Sequence, residues 1–82
     1  MQSVDEIWRV QKAYISEIKQ LGKKIKKIRA SKKMTQQTLA DLSELDIRTI
    51  QRIEAGEYGI GLHTLFALAD SLDIKASELL TN

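Results

Sequence analysis

Apolar residues recur at alternating steps of three and four at the start of the chain, through Val4, Ile7, Tyr14, Ile18, Leu21, Ile25 and Ile28, with Gln11 the single polar member. That spacing predicts a helix with one continuous apolar seam. Ser3 ahead of Glu6 resembles a capping box at its start, and Trp8 and Ile15 widen the stripe. Gly22 is a point at which the helix kinks or divides. The reading is an N-terminal helical extension over residues 1–20 ahead of a domain over residues 21–82, whose first helix runs from Leu21 to Ser31.

Two short helices follow. Thr35 caps the first, whose apolar side is read as Leu39, Ala40 and Leu42, and the small Ala40 lets another helix cross close by. Asp46 offers a second N-cap, Ile50 and Ile53 form one buried edge, and Gly56 supplies the left-handed residue that ends the helix. Leu62, Leu65, Phe66, Ala69 and Leu72 keep helical spacing in a fourth helix, with Leu68 off to the side. A short fifth helix lies around Lys75 to Leu80. The fold class is all-α.

Opposite the edge formed by Ile50 and Ile53, the side chains of Ile47, Arg48, Gln51 and Arg52 fall within an arc of roughly 140°. Two like charges four residues apart cost an isolated helix a few tenths of a kcal/mol. A face that accepts this beside an exposed Ile suits an anionic partner with an apolar spot. The DNA major groove is one: Arg bonds guanine O6 and N7, Gln pairs with adenine, and Ile touches a thymine methyl. A solvated helix surface accounts for this helix alone about as well.

Gln36, Ala40, the turn at Glu44, Leu45, Ile50, Ile53, Glu54 and Gly56 together resemble the helix-turn-helix of Cro/C1-type (XRE-family) regulators, over about Leu21 to Leu80. The resemblance implies a five-helix, lambda-repressor-like domain, here with an extra N-terminal helix. It makes the helix from Asp46 the recognition helix and places Ile47, Arg48 and Arg52 at base-reading positions, with Gln36 on a phosphate or base edge. It sets Arg29 opposite Glu54 in a structural ion pair, and it implies subunit contacts through the loop before helix four and through helix five. Ile60 and Leu68 are then candidates for a dimer contact, beside Trp8 and Ile15 on the N-terminal helix. The chain departs from the family pattern at Glu44, where Gly is usual, so a lengthened or distorted turn is expected. It departs again at Glu57 and at Gly59-Ile60-Gly61, where phosphate grip should be weak.

Composition narrows the function. Eighty-two residues support one domain, with a core that is marginal without efficient packing or a second subunit. Without Cys there is no disulfide or thiolate metal site, and His63 has no second ligand near it in sequence, so no metal or cofactor is expected. The short apolar runs suit neither a membrane span nor a secretory signal, and a cytoplasmic protein is expected. The net charge of +2 conceals segregation: Lys23, Lys24, Lys26, Lys27, Arg29, Lys32 and Lys33 form an acid-free run. A basic run is often only a solvated face, but beside a helix-turn-helix it reads as phosphate contact, with Lys26, Lys27, Lys33 and Thr35 as candidates.

The leading expectation is a sequence-specific regulator of transcription that binds double-stranded DNA as a homodimer on a palindromic operator. A phage-type repressor, a restriction-modification controller and the antitoxin of a toxin–antitoxin pair all fit the size. The alternative is a protein-interaction module, or an antitoxin subunit, that docks a partner such as a toxin through the N-terminal helix. An enzyme is remote, because no base or metal set accompanies the hydroxyl groups.

Overall fold

The computed structural model describes the backbone of residues 4–57 and 59–81, with side chains from Tyr14 onward. The described residues form five helices: α1 (Val4–Ser31), α2 (Gln36–Ser43), α3 (Ile47–Glu54), α4 (Leu62–Ser71) and α5 (Ala76–Leu80). The division expected at Gly22 is absent, because the N-terminal extension and the first helix of the domain form one uninterrupted 28-residue helix. Gly22 serves close packing instead. A Cβ there would lie 2.3 Å from Ile53 O and 2.9 Å from Glu54 O, so the missing side chain lets the end of α3 rest directly on α1.

Side chains set the starts of α2 and α3. Thr35 Oγ1 accepts from the Thr38 amide at 3.0 Å, and Asp46 Oδ1 accepts from the Thr49 amide at 2.7 Å, each satisfying a donor that the helix cannot.

The ends of α1 to α4 share one device. Lys33, Glu44, Gly56 and Asp73 take up the left-handed conformation, and each next residue donates its amide five residues back: Met34 to Arg29, Leu45 to Ala40, Glu57 to Arg52 and Ile74 to Ala69, at 3.0–3.1 Å. Met34, Leu45 and Ile74 then fold onto the core. The helix-turn-helix bend is therefore not lengthened. Only Glu44, Leu45 and Asp46 separate α2 from α3, and Glu44 itself adopts φ 59°, ψ 33°. Its two carbonyl partners and the packing of the partly buried Leu45 on the core offset a conformation that costs a non-Gly residue roughly 1–2 kcal/mol.

The core is formed by Ile25 of α1, Leu39 and Ala40 of α2, Ile50 and Ile53 of α3, Leu65, Leu68, Ala69 and Leu72 around α4, and Leu79 of α5. Three expected facings are corrected. Leu42 is 57 % exposed and Ser43 is buried in its place. The arc shared by Leu39, Ala40 and Ser43 is centred about 110° away from Leu42, and the Ser43 hydroxyl is satisfied by Leu39 O at 2.6 Å. On α4, Leu68 is fully buried while Phe66 is 58 % exposed. Leu65, Leu68, Ala69 and Leu72 span an arc of about 100° that excludes Phe66. Leu68 is thus a core residue and offers no surface to a second subunit.

Candidate nucleic-acid interface

Helix α3 buries Ile50, Ile53 and Glu54 and turns Ile47, Arg48, Gln51 and Arg52 outward. Packing against α2 on one side and α1 on the other holds that exposed face in a fixed orientation. Arg52 Nε stands 3.7 Å from Glu57 Oε2, both groups largely in solvent, where a pair contributes little energy but limits where the guanidinium swings. At the other end, the Thr49 amide, then its hydroxyl and the charges of Arg48 and Arg52, hold the Asp46 carboxyl below its ordinary pKa. The residue that starts α3 is therefore an anion coupled to the outward arginines.

Behind this face lies a polar clamp. Arg29 Nε donates to Glu54 Oε2 at 2.6 Å and Nη2 donates to Oε1 at 3.1 Å, a two-pronged fork in which the Glu54 side chain is 3 % exposed. Glu54 lies in the last turn of α3, where a carboxylate opposes the helix dipole and requires a cation beside it. Arg29 also donates through Nη1 to Met34 O at 2.7 Å, and Gln36 Nε2 donates to Glu54 Oε1 at 3.0 Å. The bond from Gln36 to Glu54 escapes a reading of the sequence, because residues 18 apart meet only through the packing of α2 on α3. Among the described residues no buried side-chain polar atom lacks a partner.

The remaining candidates divide between two faces. Thr35 and Gln36 stand at the start of α2, and Lys33 is exposed in the turn just before it. Lys26 is exposed on α1, but Lys27, about 100° further round the helix, lines a groove instead. This groove of about 760 Å³ lies between α1, the loop at Gly59 and Ile60, and α5. Ile18, Leu21, Ile28, Ile60, Leu79 and Leu80 make its apolar surface, while Lys23, Lys24 and Lys27 stand along its rim. Lys24 Nζ bonds the Thr81 carbonyl and so ties the chain beyond α5 to α1. Sequence spacing reveals the seam to which Ile18, Leu21 and Ile28 belong but not the groove, which depends on how α5 and the loop at Ile60 pack beside α1. Ile15 is 47 % exposed and is not part of the groove wall, and the side chain of Trp8 lies outside the described residues.

Among the described residues no cluster of His, Asp or Glu is arranged to hold a metal ion, and no helix is long and apolar enough to cross a membrane.

Comparison with known proteins gives the same arrangement a context. Residues 25–79 match the model of a helix-turn-helix family. The restriction-modification controller protein C.AhdI from Aeromonas hydrophila is similar in structure, with a TM-score of 0.76 and 33 % identity over 78 % of this chain and 97 % of that one. The clp gene regulator ClgR from C. glutamicum shares the fold, with a TM-score of 0.72 and 22 % identity over 76 % of this chain and 80 % of that one. No curated protein sequence matches the chain.

Proposed function

The chain belongs to the Cro/C1-type helix-turn-helix family of DNA-binding transcriptional regulators, and from that premise we propose that it acts as a homodimer on a two-fold symmetric operator. The observation that carries this reading is the outward face of α3. Ile47, Arg48, Gln51 and Arg52 are exposed together on a helix whose opposite edge is buried, the arrangement that lets a helix enter the major groove. Lys26, Lys33, Thr35 and Gln36 are assigned to the phosphates on either side. Lys27, on the groove wall, is left out of that set.

The groove supports the dimer. A small domain gains from covering apolar surface, and a symmetric interface places the same patch on both subunits. Ile60 and Leu80 supply such a patch, with the N-terminal half of α1 beside it. Similarity to a restriction-modification controller protein supports a role as a controller of transcription. A partner protein in the groove, as for an antitoxin and its toxin, is the second reading, favoured by the same apolar surface.

Sedimentation of the full chain and of a version starting at Gln20, over a concentration series, separates these readings. A dimer that weakens on truncation supports self-association through the extension. Equal dimerisation assigns the contact to Ile60 and α5, and a monomer at all concentrations contradicts the homodimer.

A further inference from the structure

The buried Glu54 carboxylate gathers three elements: Arg29 from α1, Gln36 from the start of α2, and its own position near the end of α3. For a purely structural clamp, the fork from Arg29 would suffice. The bond from Gln36 adds something else, because Gln36 is only partly buried and sits on the side of the domain assigned to DNA. An amide nitrogen carries two hydrogens. Among the described residues Gln36 Nε2 has one acceptor, Glu54 Oε1, so one hydrogen is held and the other is available.

We propose that Glu54 is a positioning residue for DNA, holding the Gln36 amide by one hydrogen so that the second bonds a phosphate oxygen of the duplex. The inference rests on the DNA-binding reading above and assigns a specific task within it. Glu54 fixes the direction of the amide, and its fork to Arg29 offsets the carboxylate charge that would otherwise repel the phosphate. The contact is neutral on the protein side. It releases no counterion of its own, so its contribution to affinity does not depend on salt, in contrast to a contact from lysine.

The test measures binding of the full chain and its variants to a random-sequence duplex over a range of salt concentrations, below the melting temperature of each variant. Gln36→Met, which keeps the length of the side chain and loses its donors, should weaken binding about tenfold at every salt concentration with the slope unchanged. Glu54→Gln should weaken binding by a smaller factor, and should cost nothing further in the Gln36→Met background. Wild-type affinity in Gln36→Met, or losses that multiply in the double variant, would overturn the proposal. Should Glu54→Gln fail to fold, the side-chain amide resonances of Gln36 in the labelled wild-type chain decide. A shift confined to one of its two protons on adding duplex supports the proposal, and no shift overturns it. A wild-type chain that binds no duplex overturns the DNA-binding reading itself, whereas duplex binding without any contribution from Gln36 overturns this inference alone.

Discussion

Gly22 and Ile53 are in contact through backbone alone: the carbonyl of Ile53, near the end of α3, occupies the space that a side chain at position 22 would need. Helix α3 is thereby fixed to α1 at a point with no room to adjust, and Gly56, in left-handed conformation against Lys19, closes the same contact one turn back along α1.

Gly22→Ala should accordingly destabilise the domain by about 1–3 kcal/mol, the usual cost of overpacking, despite the better helix propensity of Ala. Gly59→Ala is the control, since a Cβ there meets only Ile18 at an ordinary 3.5 Å. Urea denaturation of both variants checks the contrast, and equal stability would show that α1 and α3 separate readily.

Arg29→Ala leaves the Glu54 carboxylate buried without its cation, and a loss of up to about 3–5 kcal/mol is expected. Arg29→Lys should recover only part of it, because a single ammonium cannot reproduce the fork that reaches both carboxylate oxygens and Met34 O. Thermal melts of the two variants provide the comparison. A lysine variant as stable as wild type would reduce the clamp to simple charge pairing.

Asp46 makes the start of α3 sensitive to acid. Its folded pKa lies below the ordinary 3.8, chiefly through the bond from the Thr49 amide. The unfolded chain therefore takes up the proton first. The stabilisation from this group is fully present above the unfolded value and disappears as pH falls through the lower folded value. Asp46→Asn keeps a capping side chain without the titration, so the variant should lose stability less steeply than wild type below about pH 4. Melting curves across that window decide, and parallel profiles would remove Asp46 from the acid response.

Arg48→Ala and Arg52→Ala should each cost roughly 1–3 kcal/mol on the preferred site and relax the preference at one base pair per half-site. Lys26→Ala should weaken all duplexes alike and lower the salt slope by about one, whereas Lys27→Ala, on the groove wall, should leave the slope unchanged. Mobility shifts on selected and random duplexes distinguish the two kinds of contact. Equal losses on both duplexes in the arginine variants would mean that they hold phosphates only.

Much of this site was legible because it depends on local chemistry. Thr35 and Asp46 announce helix starts, Gly56 announces an end, and the spacing of Ile50 and Ile53 decides which side of α3 is free. The Arg29 and Glu54 pairing was accessible through family resemblance and not through spacing. What was hidden depends on tertiary packing. Periodicity locates an apolar stripe only to within about one residue's rotation, which is why Leu42 and Phe66 were placed inside and Leu68 outside. At Glu44 the residue type argued for a distorted turn, but the two carbonyls that meet its amide and the packing of Leu45 on the core are set by the assembled fold.

In the proposed mode of action two copies of α3 read a symmetric operator. Selection from a random-sequence duplex pool by the full chain, followed by sequencing of the bound fraction, is the decisive measurement. The expected outcome is enrichment of an inverted repeat with half-sites about 34 Å apart, or a multiple of that distance, in which Arg48→Ala and Arg52→Ala each blur one position per half. Recovery of an unenriched pool, or of a single asymmetric site that neither variant alters, would contradict it.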